Sequence, residues 1–163
     1  MSAELEILDV LNRYLHAIDT RRLDEVRDCF TDDATATYAG DVGAQNTRAD
    51  IVGAIERAGA ASQAVWGASM HALANWRIHV TSETTAVSST IVEAVLVDVP
   101  RGSGRGVRRG LRYTDTLVKT SEGWRIKERR HELLWSYAFE AASIAEAPAL
   151  RRPAAKLTAP PPG

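Results

Sequence analysis

Between residues 4 and 19 the apolar positions Ile7, Leu8, Leu11, Leu15 and Ile18 recur at steps of three and four. That spacing gathers them into one stripe and predicts an amphipathic α-helix with a single buried face. A second, shorter helix is expected after Thr20, with Leu23, Val26 and Phe30 inward and its end at the turn-forming Thr31-Asp32-Asp33. A third is expected from Thr47, because a hydroxyl there and an acid at Asp50 can satisfy exposed backbone donors ahead of Ile51 and Ile55. After about Trp66 the period shortens to two. β-Branched and alternating residues predict strands over 70–80, 85–99, 107–119 and 123–130. The glycine-rich stretch from Pro100 to Gly106 and the tight Ser121-Glu122-Gly123 read as hairpin connections, so consecutive strands are expected to be antiparallel neighbours.

Residues 132–146, with Leu133, Leu134, Tyr137 and Ala141 on one side, read as a last helix. Helices first and strands afterwards predict an α+β domain whose curved antiparallel sheet packs against three N-terminal helices around one apolar pocket. The domain is expected to span residues 1–146. Pro148, Pro153 and Pro160-Pro161-Pro162 predict a disordered tail over 147–163.

A chain of 163 residues has enough apolar side chains for one core and too few for two. Its 45% hydrophobic and 25% charged residues argue against both a disordered chain and a membrane protein. Twenty basic and 21 acidic residues leave a net charge of −1, which supplies no field toward nucleic acid or an anionic membrane. The expected partner is a small molecule or another protein. An acidic first segment and the lack of a long apolar run predict a cytoplasmic location. A lone Cys29 excludes an internal disulfide, and no Cys/His spacing fits a zinc site, so no metal is expected.

Around the first helix, Tyr14 falls at one edge of the apolar stripe and Asp19 at the other. Asp19 reads equally as a cap for the next helix, and Tyr14 as a core aromatic. Tyr38 and His71 have polar tips that a curved sheet can bring to one open end. Glu93 interrupts the apolar run Ile91 to Val97, so it either lines a wet cavity or faces solvent. Tyr113 and Asp115 share a face by the period of two, and an arginine on the following strand can answer either Glu93 or Asp115.

Taken together, Tyr14, Asp19, the Phe30-Thr31-Asp32-Asp33-Ala34 segment, His71, Asn75, Tyr113, Asp115 and Gly123-Trp124-Arg125-Ile126 with Arg129 resemble the SnoaL-like branch of the nuclear-transport-factor superfamily. The similarity runs over roughly residues 4–135. It implies a cone-shaped barrel of curved antiparallel sheet closed by three helices. Within that superfamily, Tyr14, Asp19, Tyr38, His71 and Glu93 look most like the pattern of scytalone dehydratase and the bile-acid 7α-dehydratases, which are cofactor-free lyases. That likeness implies His71 as a base, Asp19 as its orienting partner, and Tyr14 and Tyr38 as donors to a substrate oxygen. Glu93, Tyr113, Asp115, Arg129 and Asn75 are the expected substrate contacts. The implied reaction removes a proton next to a carbonyl of a hydrophobic, oxygenated ring compound such as a polyketide, steroid or terpenoid, with loss of water. Two other readings stand beside it: a polyketide cyclase or epoxide hydrolase using Asp19 and Glu93, and a non-catalytic binding module. Apolar area at Trp76, Trp135 and Tyr137 predicts a homodimer or homotrimer.

Overall fold

A computed structural model of the chain describes residues 2–40, 43–98 and 103–140. The expected tail and the end of the expected last helix lie outside the described residues. Helix α1, Ala3–Thr20, is capped by the Ser2 hydroxyl, which accepts the Leu5 N–H, and buries Ile7, Val10, Leu11, Tyr14 and Leu15 as its periodicity requires. It stops where Arg21 turns into the left-handed region at φ 60°. Helix α2, Leu23–Asp28, is short. Helix α3, Arg48–Val65, starts at the Thr47 cap, whose hydroxyl accepts the Asp50 N–H at 3.1 Å.

Six strands follow the order β2-β1-β6-β5-β4-β3 in one sheet: β1 Phe30–Tyr38, β2 Gly43–Gln45, β3 Gly67–Val80, β4 Thr85–Asp98, β5 Arg105–Thr120 and β6 Gly123–Glu140. The last four form the expected antiparallel meander. The α+β layering is as expected, with the helices on one face. Two features of the sheet differ. It is mixed, because β1 lies parallel to β6, and it is open, because β2 and β3 remain at opposite edges. Phe30 to Asp33, expected to end a helix, belongs to β1 instead. Ala34, Ala36 and Tyr38 face the core while Thr35 and Thr37 face out, an alternation too short and too rich in alanine to stand out beside the acidic pair.

The expected helix after residue 132 is the second half of β6. Two irregularities interrupt its alternation. Thr116 and Leu117 pair with Glu128 and Ile126, leaving Lys127 extra, and Gly110 and Leu111 pair with Trp135 and Leu133, leaving Leu134 extra. Each extra residue moves the inward set by one position. Core and cavity positions therefore run Trp124, Ile126, Arg129, His131, Leu133 and Ser136, while the helical reading rested on Leu133, Leu134 and Tyr137, whose spacing of three and four spans both faces of the strand.

One ionic contact sits inside this core. Arg129 donates from Nε and Nη2 to the two carboxylate oxygens of Asp115 at 2.7 and 2.8 Å, and both residues are at most 4% exposed. The guanidinium also lies 4.1 Å from the Tyr14 ring centre and 4.5 Å from that of Tyr113, so its Nη1, which lacks a hydrogen bond, is surrounded by π faces. Removing one partner leaves a buried charge unanswered. Asp115→Ala is expected to lower unfolding stability by about 3–5 kcal/mol in urea titrations, and Asp115→Leu combined with Arg129→Met to recover most of that loss.

Candidate active site

A cavity of about 430 Å³ opens between the concave face of β3–β6, the end of α1 and the small face of α3. That volume is in the range of ligand pockets. Strand register sets its levels. Tyr113 and His131 are paired across β5 and β6 one level above the buried Asp115–Arg129 pair. Further along, His71, Ala94, Arg109 and Ser136 form a row across four strands, all lining the cavity. Ser69 and Leu96 lie beyond them.

His71, near the start of β3, and Asp19, in the last turn of α1, meet at this wall. The carboxylate Oδ1 lies 2.7 Å from the imidazole Nδ1 and accepts the Ser69 hydroxyl at 2.9 Å, while Oδ2 accepts the His71 backbone N–H at 2.6 Å. Side-chain exposures of 17% and 18% put the pair at the edge of the core without sealing it off. Burial pushes the Asp19 carboxyl upward, but the hydrogen bonds and charge of His71, with Ser69, outweigh it and hold the group below its ordinary value. An ionised Asp19 fixes the proton on Nδ1 and leaves the Nε2 lone pair of His71 free.

Tyr14 and Tyr38 also line the cavity, with hydroxyls 3.3 Å apart. One donates to the other, so one O–H remains for a ligand. Burial raises the Tyr38 and Tyr113 phenols well above their usual value, with the neighbouring Tyr14 adding to it and Arg129 opposing it. Both therefore stay protonated and act as donors.

Of the expected substrate contacts, only Tyr113 lines the cavity. Asp115 and Arg129 satisfy each other below it. Glu93 is on the outer face of β4, paired there with Arg108, because the alternation that points Val92 and Ala94 inward points Glu93 out. The acid pair Asp19 and Glu93 required by the epoxide reading is thus divided by the sheet. Asn75 is exposed: the irregularity between Leu73 and Asn75 in β3 turns it outward, opposite Ile91. Trp76 is also displaced from its expected company, since it pairs with buried Thr90 while Trp135 and Tyr137 pair with Gly110 and Arg108 of the outer face.

His131, Arg109, Ser69 and Ser136 escaped the sequence reading. Only His131 carried a signal, two positions after Arg129 in the period of a strand. Its Nδ1 accepts the Ala39 N–H at 3.1 Å, and its ring lies 5.0 Å from Tyr113 and 5.7 Å from Tyr38. Burial, followed by the charges of Arg129, His71 and Arg109, lowers its pKa from 6.5 to about 4. A neutral ring that accepts at Nδ1 carries its proton at Nε2, making it a donor in neutral solution. Among the described residues no cluster of three or more His, Cys, Asp or Glu side chains is placed to hold a metal ion, and no helix is long and apolar enough to cross a membrane.

Comparison with known proteins agrees with this architecture. A family model described as SnoaL-like domain matches residues 1–130. A candidate scytalone dehydratase from Novosphingobium aromaticivorans is similar at 20% identity, with 86% of this chain and 89% of that one covered and a TM-score of 0.71. Hexachlorocyclohexane dehydrochlorinase LinA-type3 from Novosphingobium barchaimii LL02 is similar at 17% identity, covering 89% and 94%, with a TM-score of 0.71. A candidate aromatic ring hydroxylase from N. aromaticivorans shares 25% identity over 84% and 92%, with a TM-score of 0.66. No curated protein matches significantly in sequence.

Acid sensitivity follows from these environments. Between pH 6.5 and about 4 the unfolded chain binds a proton at His131 that the folded chain refuses, so stability falls as pH drops through that window. The lowered Asp19 acts in the same direction at lower pH, its contribution being present above the unfolded carboxylate value of 3.8 and lost as pH falls through the folded one. In an NMR titration the His131 imidazole is expected to stay neutral to about pH 4, and His131→Gln to flatten the pH dependence of melting between 6.5 and 4. Titration of that ring near 6.5 would contradict the environment described.

Proposed function

The chain belongs to the SnoaL-like domain family, and on that premise we propose that its cavity is the active site of a cofactor-free lyase of dehydratase type. The substrate is a hydrophobic ring compound carrying a carbonyl and a β-hydroxyl, of polyketide, steroid or terpenoid kind. The observation that carries the reading is the 2.7 Å contact of His71 Nδ1 with a carboxylate that stays ionised, at the wall of an apolar cavity.

His71 Nε2 takes the proton from the carbon next to the carbonyl, and the C–H electron pair moves into an enolate. Asp19 keeps the ring in the tautomer that accepts at Nε2 and stabilises the imidazolium that forms. The tyrosine O–H left over by the Tyr14–Tyr38 contact and the Nε2–H of His131 donate to the enolate oxygen in a site of low polarity, where such bonds are strongest. Collapse of the enolate breaks the bond from the β-carbon to oxygen. The leaving hydroxide takes the proton from His71 Nε2 and departs as water, so the enzyme returns to its starting state. The neighbours bear the labels dehydratase, dehydrochlorinase and ring hydroxylase, two of which denote elimination. The fold is common to all three, and the histidine–carboxylate pair is what favours elimination here.

Self-association belongs to the same reading. Trp135 and Tyr137 stack with ring centres 5.7 Å apart, and the Trp135 ring covers Gly110. Both are nearly half exposed, and Met70 on the same face is slightly more than half exposed. Light scattering after size exclusion is expected to give a multiple of 17.7 kDa, and a mass equal to one chain would refute it.

The reaction is tested on cyclic β-hydroxy ketones, following enone absorbance and α-proton exchange in D2O. His71→Gln and Asp19→Asn are each expected to lose about 10²–10⁴ of the rate with circular dichroism unchanged, and Tyr38→Phe about a hundredfold. Ligand binding without exchange or elimination in the unaltered protein would make the chain a binding module.

A further inference from the structure

The cavity wall carries an unbalanced charge. Among the described residues Arg21 and Arg109 line it, and no Asp or Glu does. The Asp19 oxygens behind His71 are already engaged by His71 and Ser69. Neither guanidinium has a hydrogen bond or ion pair with any described residue. Both arginines are solvent-exposed where they line the cavity, so each keeps its water when the cavity is empty and can exchange that water for an anion. Arg21 enters from the helix wall, where its side chain crosses Gly59 of α3, at a place a Cβ would occupy. Arg109 rises from the sheet, and its position is the informative one.

The register aligns His71 with Ala94, Ala94 with Arg109, and Arg109 with Ser136. Two strand spacings separate the Cα atoms of His71 and Arg109, about 10 Å. Between them lies only the methyl group of Ala94, which leaves the floor clear. Beside Arg109, the Ser136 hydroxyl also faces the cavity and has no partner among the described residues. Leu96, Leu111, Leu133 and Ile55 supply apolar walls around this row.

We propose that Arg109 and Ser136 form a carboxylate subsite, so that the substrate is a ring compound bearing an acid group, held across Ala94 with its reacting carbon at His71. One guanidinium fork and one hydroxyl match the two oxygens of a carboxylate. Arg21 adds positive potential from the opposite wall. The orientation rests on the reading of His71 as the base; the anion site itself rests on the cavity's charge and is tested without turnover.

Calorimetry with naphthalene-2-carboxylate and naphthalene-2-carboxamide separates charge from shape. The carboxylate is expected to bind roughly ten- to a hundredfold tighter than the amide. Arg109→Gln abolishes that preference, Arg109→Lys keeps part of it, and His71→Gln, which removes catalysis, leaves it intact. Melting curves check that each variant folds, and the lysine variant carries the test should the glutamine one not. Equal affinity for the two probes, no binding of the carboxylate, or a preference unchanged in a folded Arg109 variant would overturn the subsite. Loss of turnover in His71→Gln with the preference retained supports both assignments, whereas a carboxylate preference in a protein that catalyses no exchange supports the subsite and removes the lyase.

Discussion

A guanidinium sealed inside the protein has to be answered on every side, and the structure around Arg129 is the answer. Asp115 takes two of its N–H groups and the faces of Tyr14 and Tyr113 surround the rest. This single residue therefore joins β5, β6 and α1. It also sets the chemistry above it, because its charge helps keep the His131 ring neutral and its position under the tyrosines turns them into the buried end of a cavity. An ion pair of this kind is expensive to bury and gives little net stability. Its consequence here is geometric: the rings and the two strands are held in one arrangement.

The second constraint is the pair of irregularities in β6. A regular strand would have pointed Glu128, Arg130 and Glu132 inward after Ile126, burying charges with no partners on that face. The extra residue Lys127 replaces them with Arg129 and His131, and Leu134 then returns the alternation so that Ser136 joins the row of Arg109. Two displaced residues thus decide which side chains a ligand meets. The segment resembled a helix because Leu133 and Leu134 stand four and three residues before Tyr137, a helical spacing, although Leu133 and Tyr137 lie on opposite faces of the sheet.

The site joins parts that are distant along the chain, and each has a local reason for its place. Asp19 stands two residues before the left-handed residue that ends α1, and its carboxylate meets Ser69 and the His71 backbone near the start of β3. There it takes a backbone N–H, a hydroxyl and an imidazole together, enough to offset its burial. The resulting pair looks onto an apolar hollow whose charged lining side chains, among the described residues, are Arg21 and Arg109. An ionised acid behind a histidine, neutral donors at the buried end and a guanidinium two strands away suit an acidic ring compound undergoing loss of a proton and of hydroxide.

By itself the sequence determined the classes of structure: the stripe of α1, the cap of α3, the four-strand meander, and an α+β order of helices before sheet, all of which depend on local periodicity and caps. It also singled out Tyr14, Asp19, Tyr38 and His71 as polar side chains on faces that point inward. Tertiary structure alone decided the rest. The parallel pairing of β1 with β6 and the open edges depend on contacts about a hundred residues apart, which no local pattern records. Whether Arg129 and His131 point inward or outward depends on strand register, and one extra residue in β6 reverses it. Burial follows from register too, so Asp115 and Arg129 became a buried pair beneath the site, while His131 and Arg109, unremarkable in the chain, came to line it.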